Sequence, residues 1–237
     1  MYIAIDTATD DAGLALFEDG RIVDEISWHS NRNHSSELLP QLDKLLRKNG
    51  LKPADISGVI AAKGPGSFNG LRVGLSTAKG LAFSLGMPLA GMSSLAAEAC
   101  RYTETGLPVA AVFEAGRGEL AIAIYKIESG KRLQLEAEHI ATAAALAAGT
   151  REKTVFCGEM AAETISAIRE ALKDMAIFPP PAKISRVACL AILGAERLNA
   201  GDTDDVAALS ALYLRRPPIT EAKIINRPIL KIGMESN

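Results

Sequence analysis

The stretch Ala61-Ala62-Lys63-Gly64-Pro65-Gly66-Ser67-Phe68-Asn69-Gly70-Leu71-Arg72-Val73-Gly74 joins an apolar strand, residues 58–62, to an apolar-periodic helix. Such a junction gathers free backbone N–H groups and the positive end of a helix dipole at one place, which suits an anion such as phosphate. No Lys-Ser or Lys-Thr pair follows the glycines, and Asn69 stands where a dinucleotide fingerprint needs its third Gly. Two interpretations stay open, a phosphate cradle and a tight turn whose glycines satisfy backbone geometry alone.

Composition limits the function classes. Of the 237 residues 48% are hydrophobic, and the net charge of −2 gives no basic footprint, so this chain alone is not expected to bind nucleic acid through its phosphates. Three widely spaced cysteines, without a Cys-x-x-Cys pair, predict reduced thiols rather than zinc ligands or disulfides. No two of the three histidines have helical metal-ligand spacing, so we predict no metal site. Without a basic leader or a long apolar run, a cytoplasmic protein that does not contact membranes is expected.

The chain repeats one pattern of three strands followed by a helix. Strands are predicted over residues 2–5, 13–17 and 21–28, and again over 109–113, 119–127 and 133–140. Each copy opens with an apolar strand that ends in a carboxylate, Asp6 or Glu114. This duplication predicts an α/β fold of two related domains that face a cleft, residues 1–105 and a smaller 106–216, followed by a tail over 217–237. The last helix of the second domain is able to pack back on the first.

Polar residues follow the first strand at the sheet edge where open α/β sheets place ligands. Asp6 can hold Mg²⁺ through its carboxylate, and the hydroxyls of Thr7 and Thr9 can meet a phosphate. The alternative is that these side chains only cap the turn that follows. Taken with the glycine-rich turn, the candidate site for ATP or ADP with Mg²⁺ consists of Asp6, Thr7, Thr9, Gly64, Gly66 and Ser67.

Two predicted helices carry broad apolar faces at helical spacing. The first presents Leu38, Leu42 and Leu45, and the second presents leucines with small residues between them. Packing on the sheet is the usual meaning of such faces, and the alternative is contact with a partner's equivalent helices. His34, just before the first helix, is interpreted as a capping or surface residue.

Five motifs resemble the TsaB (YeaZ-type) family of bacterial threonylcarbamoyladenosine tRNA modification. They are the opening Met-Tyr-Ile-Ala-Ile-Asp-Thr-Ala-Thr, the His-Ser-Ser-Glu-Leu-Leu-Pro stretch from His34, the glycine-rich stretch, Glu-Ala-Gly-Arg-Gly-Glu from Glu114, and Ala-Leu-Tyr-Leu-Arg ending at Arg215. The resemblance covers residues 1–216 and implies two tandem actin-like (ASKHA, ribonuclease H-like) domains. Asn69 and Glu114 depart from the family's usual Thr and Asp.

The resemblance also implies a function. Family members are non-catalytic partners of a larger paralogue, TsaD, which transfers a threonylcarbamoyl group to adenosine 37 of ANN-decoding tRNAs. The paralogue's paired metal histidines correspond here to Ser94 and Glu98, which agrees with the absence of a predicted metal site. We therefore expect no catalytic residue and no required cofactor.

The expected partners follow from the same resemblance. They are TsaD in a heterodimer, a TsaE-type ATPase in a larger complex, tRNA only through that complex, and a second copy of this chain when TsaD is absent. The helices of the first domain are expected to form the interface through His34, Leu38, Leu42, Leu45, Leu71, Gly74, Leu75 and Ala78. The rival hypothesis is a stand-alone ASKHA-type ATPase or small-molecule kinase that uses the two polar turns.

Overall fold

The fold was analysed in a computed structural model, which describes residues 1–128 and 131–215. The first half forms a five-stranded sheet in the order β3-β2-β1-β4-β5. Its strands are β1 Tyr2–Asp6, β2 Asp11–Glu18, β3 Arg21–His29, β4 Gly58–Gly64 and β5 Leu89–Ser93. The first three strands pair antiparallel, whereas β1, β4 and β5 run parallel.

A second five-stranded sheet follows, in the order β10-β9-β6-β7-β8. Its strands are β6 Val109–Gly116, β7 Glu119–Glu128, β8 Lys131–Ala141, β9 Thr154–Glu159 and β10 Ala176–Ile177. Read from the opposite edge, the order is third, second, first, fourth, fifth strand, as in the first sheet. The predicted α/β class of two tandem actin-like, ribonuclease H-like units is confirmed by this repeated order. The two-residue strand β10 was not predicted, because so short a segment carries no periodicity.

Six α-helices cover the sheets. They are α1 His34–Lys48, α2 Phe68–Leu85, α3 Ser94–Cys100, α4 Ala143–Gly149, α5 Ala162–Leu172 and α6 Arg186–Asn199. Single 3₁₀ turns lie at Pro53–Asp55, Thr103–Thr105 and Lys173–Met175. Among the described residues, no helix combines the length and the apolar character needed to cross a membrane.

Strand alternation assigns the helices to opposite faces of the first sheet. Ile3 and Ile5 of β1 pack with the apolar sides of α1 and α2. Ala4, between them, faces the other way and packs with Val187 and Leu190 of α6. Although α6 comes late in the chain, it therefore covers the first sheet.

The second sheet is covered by α4 and α5 on one face and by α3 on the other. We call the first sheet with α1, α2 and α6 the first lobe, and the second sheet with α3, α4 and α5 the second lobe. The lobes meet where α3 packs on α6. The domain boundaries near residues 105 and 216 stay predictions, and the predicted tail, 217–237, lies outside the described residues.

Candidate functional site

A cleft of about 770 Å³ opens between the lobes. The carboxyl ends of β1 and β4 reach it from the first lobe, and those of β6 and β9 from the second. Its walls are residues 8–10, Arg32, Gly66 and Ser67 on one side and residues 113–115 and 158–161 on the other. The two turns predicted to face one cleft do lie beside each other there.

The glycine-rich turn packs directly on the backbone that follows β1. The Ser67 N–H donates to the carbonyl oxygen of Ala8 at 2.6 Å, and a Cβ on Gly66 would lie 2.2 Å from that same oxygen. A Cβ on Gly70 would lie 2.1 Å from the carbonyl oxygen of Thr7. These distances leave no room for a side chain, so close backbone contact alone requires glycine at both positions.

The N–H groups of this turn are partly used within the chain. Ser67 caps α2 by accepting a hydrogen bond from the Gly70 N–H at 3.3 Å, while its own N–H is taken by Ala8. The buried Thr7 hydroxyl donates to the Gly70 carbonyl at 2.7 Å rather than pointing into the cleft. This geometry favours the structural interpretation of the turn over the phosphate cradle.

Arg186 lies beside the cleft, where it lines an adjoining cavity of about 490 Å³ together with Asp6 and Glu159. Its guanidinium binds Asp6, the residue predicted to hold Mg²⁺. Its Nε donates to Asp6 Oδ2 at 2.6 Å, and Asp6 Oδ1 accepts from the Ala8 N–H at 3.0 Å. Nη2 donates to Thr9 Oγ1 at 2.7 Å and to the Asp11 carbonyl at 2.8 Å. Both oxygens of the Asp6 carboxylate thus already have partners within the chain.

The same guanidinium reaches the second lobe. Nη1 donates to Glu159 Oε1 at 2.8 Å, and the Thr9 hydroxyl donates to that oxygen at 2.5 Å. Burial opposes the positive charge of Arg186, but the nearby Asp6 and Glu159 carboxylates outweigh it and raise its pKa. The guanidinium is therefore a permanent cation beside the cleft.

The six residues of the predicted nucleotide site have separate roles in the structure. Asp6, Thr7 and Thr9 are buried and hydrogen-bonded as described, and Gly66 and Ser67 are exposed at the cleft wall. Gly64 packs beneath the segment after α6, since a Cβ there would lie 2.8 Å from the Leu212 carbonyl oxygen. Nucleotide binding by this set stays a prediction.

The residues predicted for the partner interface lie in the core, which corrects that assignment. His34, Leu38, Leu42, Leu45, Leu71, Gly74, Leu75 and Ala78 are all buried within this chain. The leucines of α1 and α2 pack on the first sheet, and His34 lies beside Gly70. Large apolar side chains that these helices do expose are Leu39, 58% accessible, and Phe83, 82% accessible.

The two positions that the resemblance matches to the paralogue's metal histidines lie inside this chain. Ser94 and Glu98 are buried, and Glu98 pairs with Arg101 at 2.8 Å. Within residues 1–128 and 131–215, no group of three or more His, Cys, Asp or Glu side chains is arranged to hold a metal ion. Glu114 accepts hydrogen bonds from the Ala161 N–H and the Thr164 hydroxyl, so it fixes the start of α5.

Sequence reasoning missed Arg186 and Glu159. The sequence gives Arg186 no predicted role, and its partner Asp6 lies 180 residues away in the chain. One signal was present, a charged residue directly after the capping Ser185 and before an apolar run. A charge at the first turn of an otherwise buried helix requires a counter-charge nearby.

Most of the chain is similar in sequence to a known protein family. The family model described as "TsaD: tRNA N6-adenosine threonylcarbamoyltransferase" matches residues 22–218. The TsaB protein of Bacillus subtilis, described as a tRNA threonylcarbamoyladenosine biosynthesis protein, is 34% identical over 128 residues, 54% of this chain and 56% of that protein. The Escherichia coli TsaB protein is 37% identical over 93 residues, 39% of this chain and 40% of that protein.

These alignments span about half or less of each curated relative. A solved structure gives the wider match. A Pseudomonas aeruginosa protein, described as similar to the peptidase YeaZ, superimposes with a TM-score of 0.75 and 25% identity. That superposition covers 90% of this chain and 99% of the solved chain, so the two-lobed arrangement is shared along almost its whole length.

Proposed function

The chain belongs to the family of tRNA N6-adenosine threonylcarbamoyltransferases and their TsaB-type relatives, and on that premise we propose that it is a non-catalytic subunit that binds and activates a TsaD-type transferase. The transferase that it activates catalyses the N6-threonylcarbamoylation of adenosine 37 in ANN-decoding tRNAs. The assembly works in the cytoplasm, where its tRNA substrates reside.

One observation carries the non-catalytic part of the proposal. The carboxylate best placed to bind a metal–nucleotide, Asp6, is buried and paired with Arg186 of the same chain. A divalent ion would have to displace a guanidinium that makes three further hydrogen bonds, to Thr9, to the Asp11 carbonyl and to Glu159, and that also lies over the ring of Phe113. Removing one member of such a buried pair is strongly unfavourable.

The partner surface is proposed on the outer side of α1 and α2. Leu39 and Phe83 expose large apolar side chains to solvent, and a partner subunit that covered them would remove this apolar surface from water. The buried leucines of the same helices hold this surface rigid against the sheet. A TsaD-type subunit would cover these side chains in the heterodimer, and a second copy of this chain would cover them when that subunit is absent.

The remaining partners follow from the same proposal. A TsaE-type ATPase joins the heterodimer in a larger complex, and tRNA is bound through the complex rather than by this chain. The net charge of −2 supports that division, because phosphate binding draws on clustered Lys and Arg.

Reconstitution tests the proposal. Purified TsaD-type transferase, threonylcarbamoyl-adenylate and unmodified tRNA are incubated with and without this chain, and modified adenosine is measured by mass spectrometry. We expect modification to depend on this chain. Equal modification in its absence would reject the proposal.

A second candidate function, an ATPase or small-molecule kinase, draws on the open cleft of about 770 Å³ beside Thr9 and Ser67. Calorimetry with ATP and Mg²⁺ on the isolated chain separates the two functions. Binding at millimolar nucleotide or tighter would favour the second candidate, and its absence would remove it.

A further inference from the structure

Arg186 is a buried side chain that joins the first lobe to the second beside the cleft. It belongs to α6, which packs on the first sheet, and it is only 8% exposed. Its guanidinium binds Asp6 and Thr9 of the first lobe and Glu159 at the end of β9 in the second. It also lies over the ring of Phe113 in the second lobe, 5.3 Å from the ring centre.

The charges at this point require such a bridge. Asp6 and Glu159 bring one carboxylate from each lobe to the same guanidinium, and without it these two like charges would be left without a counter-charge between them. The direct contact between the lobes, from the Thr9 hydroxyl to Glu159, supplies no compensating positive charge. Arg186 therefore supplies the positive charge between the two carboxylates, in addition to the packing of α3 on α6 and the Arg132–Glu196 ion pair that also join the lobes.

Guanidinium geometry makes the bridge directional. The Nε and Nη2 atoms are fixed by Asp6, Thr9 and the Asp11 carbonyl, so the plane of the group is set by the first lobe. With that plane fixed, the position of Nη1 is fixed too, and Nη1 donates its hydrogen bond to Glu159. A planar fork with five donors can do this, whereas an ammonium group on a flexible stem cannot.

We propose that Arg186 is a built-in latch that fixes the two lobes at one separation, so that the cleft of this chain does not open and close. In two-lobed proteins that close on a ligand, the ligand supplies the contacts that favour the closed form. Here those contacts, including the positive charge between the two carboxylates, come from the chain itself. The inference concerns the mobility of the lobes and does not depend on the function proposed above.

Distance measurements by pulsed electron spin resonance test the latch on the full chain. Spin labels are placed at Lys44→Cys on α1 and Glu170→Cys on α5, both exposed and in different lobes. Background labelling of the native cysteines is measured on the chain without these two changes. We expect one narrow distance distribution for the otherwise unaltered chain, with or without ATP and Mg²⁺.

The variant Arg186→Met removes the charge but keeps most of the apolar stem, and we expect it to widen the distance distribution by about twofold or more because the lobes can then rotate apart. The matched control is Arg197→Met on the same helix. Arg197 binds Asp202, Asp204 and the Gly91 carbonyl, all on the first-lobe side, so its loss should leave the distribution narrow.

A distribution for Arg186→Met as narrow as that of the control would overturn the latch. If Arg186→Met does not fold, Glu159→Ala decides the question. The Glu159 side chain is 41% exposed, and its removal ends the bond from Arg186 to the second lobe, together with the bond from the Thr9 hydroxyl, while Asp6 keeps its counter-charge. A wider distribution in Glu159→Ala supports the latch, and an unchanged one rejects it.

Discussion

The Thr7 hydroxyl donates a hydrogen bond to the Gly70 carbonyl at 2.7 Å, so the two turns that the sequence offers to a ligand are bonded to each other. The contact continues through Gly66 and Gly74, where a Cβ would lie 2.2 Å from Ala8 and Thr7 atoms respectively. The glycines of the stretch that opens α2 therefore serve the packing of α2 against the first turn of the chain.

The first prediction compares two glycines of α2. Gly70→Ala places a Cβ 2.1 Å from the Thr7 carbonyl oxygen, and we expect it to lower the free energy of unfolding by about 1–3 kcal/mol or more, as overpacking does. Gly80 is exposed, with nothing within 4 Å of an added Cβ, so Gly80→Ala should raise stability by about 0.5–1 kcal/mol. Urea unfolding measures both. Equal effects would contradict the packing described for the turn.

The second prediction concerns the stability contributed by Arg186. Arg186→Met leaves the buried Asp6 carboxylate without its counter-charge, and we expect a loss of about 3–5 kcal/mol in urea unfolding. Adding Asp6→Asn should recover part of this loss, because the uncompensated charge is then gone. A double variant that is no more stable than the single one would show that the charge pair is not the cause.

The third prediction is a pH effect at His29. Its hydrogen bond to Asp11, at 2.7 Å, raises the pKa of the imidazole above the ordinary 6.5. Because the folded pKa is the higher one, the stabilisation is fully present below about pH 6.5 and is lost as pH rises through the folded value. NMR titration should show a raised His29 pKa that returns toward 6.5 in Asp11→Asn. A titration unchanged by that substitution would contradict the pairing.

The fourth prediction tests the proposed partner surface. Phe83→Glu changes an 82% exposed side chain, so it should alter stability by less than about 0.5 kcal/mol yet abolish co-elution with a TsaD-type subunit in gel filtration. The matched control, Leu135→Glu, changes a 48% exposed side chain on β8 of the second lobe and should leave co-elution intact. Loss of binding in the control alone would place the interface on the second lobe.

Much of the fold could be predicted because local patterns determine it. The strands predicted over residues 2–5, 13–17 and 21–28 agree with the observed β1, β2 and β3 to within two residues at each end. The duplication could be predicted because the pattern of three strands followed by a helix occurs twice along the chain. Each of these features depends on residues that are close together in the chain.

The site could be predicted only in part, because its contacts are long-range. Periodicity shows that Leu38 and Leu45 form a buried face of α1, but it does not say what covers that face. In the structure, the first sheet covers that face, so the proposed partner interface uses other side chains of α1 and α2. Arg186 meets Asp6 and Glu159 only after both lobes have formed, and no spacing rule links these three positions.

The reconstituted tRNA modification assay tests the central claim most directly. TsaD-type transferase, threonylcarbamoyl-adenylate and unmodified tRNA are combined with this chain, with its Phe83→Glu variant, or with neither. The account predicts modified adenosine 37 with the unaltered chain and only background with Phe83→Glu or with no added chain. Full modification in the absence of this chain would contradict the claim that it is a required, activating subunit.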